Sequence, residues 1–333
     1  MNYDRIAQKA LNDIPLTKEE CRVVLDCPEE DILKLLHAAF QVRNRFFGKT
    51  VYLHMLFNAK SGLCSEDCSY CSQSKVSDAG IMKYPLVDTE TILSGARTAE
   101  NSKAKRYCIV TSGRALEKTE LKKICDTIKT IKQEMKIEIC TSFGLLTKDD
   151  AVELKKAGAD RYNHNFNTSE RYYPNICSTH SYKERIETLR NARSAGMELC
   201  CGAIFGMGES RKDIIDTAFA LKDLSPDSIP VNFLNPVPGT PLENSSHLTP
   251  IKCLSILCLM RFLNPKTEIR IAGGREYNLR SLQSLSLYPA NSIFVSNYLT
   301  TPGQTPGEVI KMVEDMGFEI EEERSHEINA SQK

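Results

Sequence analysis

The stretch RYCIVTSGRALEKTELKKICDTIKTIKQEMKIEICTSFG, residues 106–144, contains a strand, a helix and a second strand in succession. Its two ends, RYCIVTS and KIEICTSFG, are short and rich in β-branched residues, which is typical of buried strands. The segment between them has the apolar spacing of an amphipathic helix. A strand, a helix and a strand in this order form the unit from which parallel α/β sheets are built.

The same unit recurs from residue 50 to residue 300. Besides the two strands above, six segments have strand composition: VYLHMLF (51–57), DRYNHNFN (160–167), ELCCGAIFG (198–206), SIPVNFLNP (228–236), EIRIAGGRE (268–276) and SIFVSNYLT (292–300). Two of the helical patterns between them end in Ala-Gly, a helix stop signal. Eight units on about 250 residues predict an α/β fold, a (β/α)8 TIM-type barrel. A doubly wound open sheet is the alternative, but eight repeats with short loops favour closure.

Three segments are expected along the chain. Residues 1–45 are predicted to be an N-terminal helical extension that packs outside the barrel. Residues 46–310 would form the barrel itself, and residues 311–333 a C-terminal helix with a polar tail.

Composition and charge limit the classes of partner. Lys plus Arg and Asp plus Glu both number 43, and this neutral balance favours neither a nucleic acid nor a membrane surface as partner. The N-terminus lacks the basic flank and apolar core of a secretory signal. The longest apolar run, CLSILCLM (253–260), is far shorter than the roughly 20 residues that a membrane span needs. We therefore expect a cytoplasmic protein.

Thirteen cysteines are many for such a chain, and an odd number fits a disulfide framework poorly. Because thiols stay reduced in the cytosol, metal binding or catalysis is the favoured use. Six of the cysteines lie in helical or connecting sequence and are expected to be small buried hydrophobic residues: Cys21, Cys27, Cys125, Cys177, Cys253 and Cys258.

The segment FNAKSGLCSEDCSYCSQS (57–74) brings three cysteines together, Cys64, Cys68 and Cys71, in the spacing C-x3-C-x2-C. It follows the first strand, so it lies on a loop at the catalytic face of the predicted barrel. A closed zinc site needs four ligands, and a disulfide would leave one thiol over. A 4Fe–4S cluster held by three thiolates leaves one iron open to a substrate or cofactor, so the spacing favours this cluster.

This segment resembles the cluster motif of the radical S-adenosylmethionine superfamily. The resemblance implies that the open iron binds S-adenosylmethionine, whose cleavage gives methionine and a 5′-deoxyadenosyl radical that abstracts hydrogen. It also places Tyr70 near the adenine, and it places GAIFGMGES, with Gly206 and Gly208, beside the cofactor. Taken alone, the glycine pair is a weak signal, since such pairs often only form a turn.

Within that superfamily, the segments GLCSEDCSYCSQS, RYNHNFNTS, VNFLNPVPGTPLE, IRIAGGRE and ANSIFVSNYLTT, in this order, resemble the biotin synthases over residues 45–305. The resemblance implies insertion of sulfur into dethiobiotin at C9 and then at C6, the last step of biotin biosynthesis. It implies a second, 2Fe–2S cluster that supplies the sulfur. The residues that match its ligands are Cys108, Cys140, Cys200 and Arg270, on four different predicted strands.

Two questions about this second cluster stay open in the sequence. A guanidinium is protonated at any ordinary pH, so Arg270 either binds iron, as the family implies, or donates hydrogen bonds to the sulfides. Cys201 adjoins Cys200, and alternation along a strand directs the two to opposite faces. The resemblance selects Cys200 as the ligand.

The resemblance also implies contacts to small molecules. Asn165 and Asn232 match the residues that contact the cyclic urea of dethiobiotin, and Thr300, Thr301 and Arg106 match those that contact its carboxylate. For S-adenosylmethionine, Asn167 matches a residue beside the ribose, and Arg185 matches one near the methionine carboxylate. The chain departs from many biotin synthases at Asn167, where an aspartate is common, and at Ser296, where glycine is frequent. No side chain is expected to act as an acid or base, because the cofactors carry the chemistry.

Two rival functions share part of this pattern. A sister radical enzyme, such as a hydrogenase-maturation enzyme or a methylornithine-type mutase, would share the barrel and the first cluster but would not need the second ligand set. An iron–sulfur carrier or sensor would leave NHNFN and NPVPGTP unexplained. The family further implies flavodoxin or ferredoxin as electron donor and a homodimer.

Overall fold

Ten strands of the described chain, residues 2–321 of a computed structural model, form one parallel sheet. They are β1 Thr50–Lys60, β2 Arg106–Thr111, β3 Glu138–Ser142, β4 Arg161–Asn163, β5 Glu198–Cys200, β6 Ala203–Phe205, β7 Ser228–Phe233, β8 Glu268–Ile271, β9 Ser292–Val295 and β10 Glu319–Ile320. Both β5 and β6 pair with β7, and they share one position in the sheet. β1 pairs with both β2 and β9. The sheet therefore closes into an eight-strand barrel, which confirms the predicted fold class, and β10 pairs with the first residues of β1.

Helices surround this barrel and precede it. They are α1 Tyr3–Leu11, α2 Lys18–Leu25, α3 Ile32–Phe47, α4 Thr89–Asn101, α5 Lys118–Glu134, α6 Lys148–Ala157, α7 Tyr182–Ser194, α8 Arg211–Leu224, α9 Pro250–Leu263, α10 Arg275–Leu279 and α11 Pro306–Asp315. Short 3₁₀ segments occupy Glu29–Asp31, Tyr173–Asn175 and Arg280–Leu287. Among the described residues, none of these helices combines the length and the apolar character needed to cross a membrane.

Local sequence fixes where the helices near the site begin. The Ser181 hydroxyl accepts a hydrogen bond from the backbone N–H of Glu184, and the Glu184 carboxylate accepts one from the backbone N–H of Ser181; this capping box starts α7. Ser210 and Asp213 start α8 in the same way. Each of these two helices therefore begins at a defined residue.

The apolar side chains form two separate cores. The larger core fills the space between the barrel and the helices, and residues such as Tyr107 and Ile109 of β2 belong to it. Cys108, which lies between these two residues, faces the barrel interior instead. The interior core consists of Cys108, Cys140 and Cys200, packed against Leu56 and Phe294. Period-two alternation along each strand separates the two cores.

Arg43 of α3 ties the N-terminal helices to the start of the barrel. Its buried guanidinium donates to the carbonyl oxygens of Ala290, at 3.0 Å, and Thr50, at 2.8 Å. It also hydrogen-bonds the Gly48 carbonyl and lies 4.5 Å from the centre of the Phe318 ring. One side chain thus contacts the segments that lead into β1, β9 and β10.

Candidate active site

A cavity of ≈ 400 Å³ opens at the carboxyl ends of the barrel strands and reaches into the barrel interior. Loops after β1, β2, β4, β7 and β9 contribute to its wall. Eleven of the residues predicted from the sequence line it: Cys64, Tyr70, Cys71, Cys108, Asn165, Asn167, Arg185, Asn232, Arg270, Thr300 and Thr301. The other six, Cys68, Cys140, Cys200, Gly206, Gly208 and Arg106, do not contribute to its lining.

Of the three cysteines on the loop after β1, Cys64 and Cys71 reach the cavity. Cys68 is buried, and its sulfur lies 3.7 Å from the sulfur of Cys177. The thiol of Cys68 donates to Cys177, which raises the pKa of Cys68 and lowers the pKa of Cys177 to about 4. Burial raises the pKa of Cys71 to about 11. Two of the three thiols therefore face the cavity, and the third, that of Cys68, faces Cys177 on the connection between β4 and α7.

Tyr70 and Asn167 meet on one wall of the cavity. The side-chain amide of Asn167 donates to the hydroxyl of Tyr70 at 2.5 Å. Asn167 has a φ of 70°, in the left-handed region that asparagine tolerates better than most residues. The backbone N–H of Ile204 donates to the Asn167 carbonyl at 2.8 Å. Asn167 is therefore fixed by both its backbone and its side chain.

Arg185, in the first turn of α7, places a buried cation at the cavity wall. Its guanidinium donates to the hydroxyl of Tyr173 at 2.5 Å, to the carbonyl of Asn165 at 2.8 Å and to Nε2 of His180 at 2.7 Å. Because arginine only donates, Nε2 of His180 accepts and Nδ1 carries the proton. That Nδ1 lies 2.5 Å from a carboxylate oxygen of Glu66. Sequence analysis predicted no role for His180 or Glu66, although both lie near predicted ligands.

The amide groups of two asparagines are held at the cavity. Asn165 accepts through Oδ1 from the Gly202 backbone at 3.0 Å. Asn232 accepts from the Gly273 backbone at 2.9 Å and donates to the carbonyl of Ala203 at 3.1 Å. Both side chains are therefore oriented before any ligand binds.

On the opposite wall, the hydroxyl groups of Thr300 and Ser72 are 2.7 Å apart. This contact joins the loop after β9 to the loop that carries Cys71. Ser296, in the same loop as Thr300, has a φ of 69°. This left-handed conformation favours glycine, which explains why many biotin synthases have a glycine at the position of Ser296.

Deeper in the barrel, Cys108, Cys140 and Cys200 come together from β2, β3 and β5. The three thiols pack against one another in one buried cluster. Nη1 of Arg270, from β8, lies 3.6 Å from the sulfur of Cys200, and Nε of Arg270 finds no hydrogen-bond partner within residues 2–321. Three thiols can bind the irons of a small iron–sulfur cluster, and a buried, unpartnered donor can bond to its sulfides. The predicted quartet therefore fits a cluster.

Beneath this quartet lies Glu268, a buried carboxylate that sequence reasoning did not predict. Its Oε1 accepts from Arg270 at 2.6 Å and lies 3.0 Å from Nε2 of His54. Its Oε2 accepts from Arg161 at 3.0 Å. Glu268 and Arg270 lie two positions apart on β8 and so share a face. That spacing is a signal that an acidic residue faces the barrel interior, and it was available in the sequence.

Three predicted site residues lie elsewhere. Gly206 and Gly208 border a second opening, beside His247, and the preceding strand residue Ile204 lines the main cavity in their place. Arg106 is the first residue of β2, at the other end of the barrel from Thr300. Its guanidinium donates to Glu268 at 3.2 Å, so the structure does not bring it to the two threonines.

Comparison with known proteins agrees with this architecture. The family described as "Radical SAM superfamily" matches residues 60–221, and the "Biotin and Thiamin Synthesis associated domain" matches residues 230–319. The fold is similar to methylornithine synthase (PylB), with a TM-score of 0.84 and 20% identity over 95% of this chain and 97% of that one. It is also similar to the hydrogenase maturase HydG from Carboxydothermus hydrogenoformans, with a TM-score of 0.79 and 20% identity over 96% and 79% of the two chains. At these identities the likeness shows the fold alone.

Sequence relatives are much closer. The biotin synthases of Bacillus velezensis and Bacillus subtilis are both 51% identical over 316 residues, which cover 95% of this chain and 93% and 94% of theirs. The biotin synthase of Rhodopirellula baltica is 48% identical over 318 residues, 96% of this chain and 89% of that one. The chain therefore belongs to the biotin synthases, radical S-adenosylmethionine enzymes that transfer sulfur.

Proposed function

We propose that this chain inserts sulfur into dethiobiotin, at C9 and then at C6, and so completes biotin biosynthesis. One observation carries the proposal. A single cavity is lined at its rim by Cys64 and Cys71 and at its base by Cys108 and Arg270. A radical formed at the rim and a sulfur donor held at the base would therefore meet the same bound substrate.

Cys64, Cys68 and Cys71 would hold the first cluster. When bound there, a 4Fe–4S cluster supplies the electron that cleaves S-adenosylmethionine. The two thiols at the cavity fit this role. Cys68 joins them only after its side chain turns away from Cys177.

The chain's own residues would then hold S-adenosylmethionine. The Arg185 cation suits the methionine carboxylate, because three hydrogen bonds already fix its position. Tyr70 and Asn167 would flank the adenosine, and we add Ile204 to this set because it lines the same wall. Gly206 and Gly208 would act only by shaping the turn after β6.

Cys108, Cys140, Cys200 and Arg270 would hold the 2Fe–2S cluster from which sulfur is drawn. Glu268 balances the charge of Arg270. A guanidinium with a carboxylate partner stays protonated, which favours donation of hydrogen bonds to the cluster.

Dethiobiotin would lie between these two groups. Asn165 and Asn232 present amides to its cyclic urea, which needs both donors and acceptors. Thr300 and Thr301 would meet its carboxylate. We leave Arg106 out of the substrate contacts, because its guanidinium pairs with Glu268 instead.

Three broader features are also part of the proposal. The thirteen cysteines are all free thiols, which supports a reducing, cytoplasmic environment. Flavodoxin or ferredoxin as electron donor and a homodimer rest on the resemblance to biotin synthases. The division at residues 45 and 310 likewise stays a prediction, and residues 322–333 of the tail lie outside the described residues.

The test is anaerobic reconstitution with iron and sulfide, followed by dethiobiotin, S-adenosylmethionine and a strong reductant. We expect about six iron atoms per chain and formation of biotin. Cys140→Ala should keep about four iron atoms and still cleave S-adenosylmethionine, without forming biotin. Cys201→Ala, which changes the neighbouring thiol on the outer face, is the matched control. Biotin formation by Cys140→Ala at the wild-type rate would refute the sulfur-donor role.

A further inference from the structure

One cluster of possible metal ligands within residues 2–321 is not explained by the sulfur-insertion reaction. The sulfurs of Cys68 and Cys177 and a ring nitrogen of His180 all lie within 4.8 Å of one another. All three side chains are buried. Cys177 and His180 lie three residues apart on the connection between β4 and α7, and Cys68 reaches them from the loop after β1.

The spacing of these atoms resembles a tetrahedral metal site. With zinc–sulfur bonds of about 2.3 Å and a zinc–nitrogen bond of about 2.0 Å, the ligand atoms of a tetrahedron lie about 3.8 Å apart for two sulfurs and about 3.5 Å for sulfur and nitrogen. The two sulfurs here are 3.7 Å apart, and the sulfur of Cys177 is 3.3 Å from Nδ1 of His180. Two of the three ligand pairs therefore need little movement to accept a metal ion, and the third pair, Cys68 and His180, lies within 4.8 Å.

Two carboxylates lie beside these three ligands and could supply a fourth. An oxygen of Glu66 is 2.5 Å from Nδ1 of His180, and an oxygen of Asp67 is 3.2 Å from the sulfur of Cys177. The Asp67 oxygen already accepts from the Ser178 and Thr179 backbones. The Glu66 oxygen accepts from side chains, those of His180, Thr179 and Arg114, which turn away more easily than a backbone N–H, so Glu66 is the better candidate for a fourth ligand. Two thiolates, an imidazole and a carboxylate suit Zn²⁺.

We propose that Cys68, Cys177 and His180, with Glu66, form a binding site for one Zn²⁺ in the protein that lacks its first iron–sulfur cluster. The inference rests on the proposed function, since it takes Cys68 to be a ligand of that cluster. Cys68 serves both sites and cannot serve them together. Zinc and the radical-generating cluster therefore exclude each other.

Zinc binding also changes the contacts of Arg185. The metal displaces the proton of the Cys68 thiol, and the single proton of the neutral His180 ring moves from Nδ1 to Nε2 so that Nδ1 can bind the metal. A protonated Nε2 no longer accepts from Arg185. The guanidinium keeps Tyr173 and the Asn165 carbonyl as partners and loses its third contact. The zinc-bound protein thus has a less constrained cation at the proposed S-adenosylmethionine site.

The test uses the full chain, freed of iron and sulfide under anaerobic conditions, with Co²⁺ as a spectroscopic probe and Zn²⁺ as competitor. Wild type should bind one Co²⁺ with a thiolate charge-transfer band that Zn²⁺ abolishes. Cys177→Ala should weaken binding by more than about tenfold, since even the loss of a partner that only orients a ligand costs 10–100-fold. Cys177→Ser, which preserves side-chain size, is the second variant if alanine impairs folding.

Two comparison variants locate the ion. Cys64→Ala removes a cluster ligand outside the proposed site and should bind Co²⁺ as wild type does. Cys125→Ala changes a buried cysteine of α5 and should also have no effect. Loss of binding in Cys64→Ala with retention in Cys177→Ala would place the ion on the loop cysteines and overturn the proposal. Equal binding by all the variants, or none by wild type, would overturn it as well.

Competition with the cluster is measured separately. For each protein, the iron incorporated after zinc loading is divided by the iron incorporated without zinc. This ratio should be low for wild type and near one for Cys177→Ala. A ratio near one for wild type would refute mutual exclusion. Biotin formation by wild type reconstituted without zinc tests the proposed function independently, so the two failures can be told apart.

Discussion

The side chain of Glu268 shows how one residue can organise a site without touching a ligand. Burial alone would raise the pKa of this carboxyl, but Arg270 and His54 hold it well below its usual range. Its Oε2 also accepts from both Arg106 and Arg161. Three guanidinium groups thus share one anion. Removing that anion would leave an excess of buried positive charge beside the proposed sulfur donor.

We expect Glu268→Gln to raise the reduction potential of the proposed 2Fe–2S centre, because loss of a negative charge favours the reduced cluster. Unfolding should become easier by about 3–5 kcal/mol, the usual effect of breaking a buried ion pair. Redox titration followed by electron paramagnetic resonance measures the potential. Glu268→Asp keeps the charge and serves as the matched variant. A potential that falls, or that changes equally in both variants, would contradict the electrostatic role.

Tyr70 offers a smaller test at the same scale. Its hydroxyl accepts from the Asn167 amide, and burial raises the pKa of Tyr70 well above the usual value, so the hydroxyl stays neutral. Tyr70→Phe should leave that amide without its partner at the cavity wall. A hydrogen bond of about 1 kcal/mol corresponds to roughly fivefold weaker binding of S-adenosylmethionine. Equilibrium dialysis measures the dissociation constant. Tyr172→Phe, whose hydroxyl bonds the Met207 carbonyl outside the main cavity, is the control.

The resemblance to biotin synthases implied which residues would supply thiols, amides and cations, because the matching motifs stand at recognisable positions along the chain. The sequence could not predict where Cys68 points. That direction depends on Cys177 and His180, which lie more than 100 positions away along the chain. For Gly206, the sequence correctly indicated a turn but not which residue reaches the cavity. A glycine after a strand is a real turn signal, but the side chain that reaches the cavity is Ile204, two positions earlier.

At the scale of elements, the sequence predicted all eight barrel strands, and the structure shortens several of them. The predicted strand 160–167 ends at Asn163, and the residues that follow leave the regular strand pairing and run towards the cavity. The predicted strand 198–206 is interrupted around Gly202, where a Cβ atom would lie 1.8 Å from the Pro230 carbonyl oxygen. Such close approach of two backbones depends on the neighbouring strand. Composition alone gives no information about it.

Asp213 joins two elements of the barrel wall. It starts α8 by accepting from Ser210, and it also accepts from Ser169 and Arg171 in the loop after β4. Burial would raise its pKa, but these hydrogen bonds and the Arg171 cation outweigh burial and lower the pKa to about 2. The carboxylate therefore stabilises the fold above pH 4. This contribution is lost as the pH falls from about 4 to about 2.

We expect Asp213→Asn to lower the free energy of unfolding by about 2 kcal/mol at pH 7, which follows from a pKa shift of nearly two units. The difference from wild type should shrink as the pH falls from 4 towards 2. Urea unfolding at several pH values measures both effects. Asp216→Asn, on the same helix but in partly exposed ion pairs with Lys18 and Lys212, should change stability by less than about 1 kcal/mol. A constant difference across this pH range would contradict the assignment.

For the whole molecule, the number of strand–helix units was enough to predict a closed barrel, since each unit adds one strand to the growing sheet. The contacts that join the first and last strands of the barrel were not predictable. It depends on β9 pairing with β1 and on Arg43, a charged residue in a helix that the sequence assigned only to an outer layer. Nothing in local composition marks an arginine that becomes fully buried.

Arg43→Met tests whether this closure depends on one side chain. Methionine fills similar volume but leaves the carbonyls of Ala290, Gly48 and Thr50 without their buried donor. We expect unfolding to become easier by about 3–5 kcal/mol.

Hydrogen exchange should accelerate first in α3, β9 and β10, because these elements meet at the start of the barrel, and later at the cavity end. Exchange measured by mass spectrometry, together with urea unfolding, checks both expectations. Arg45→Met changes an exposed arginine of the same helix and should be nearly neutral. If the two variants were equally stable, Arg43 would not hold the ends of the barrel together, and strand pairing between β1 and β9 alone would have to close it.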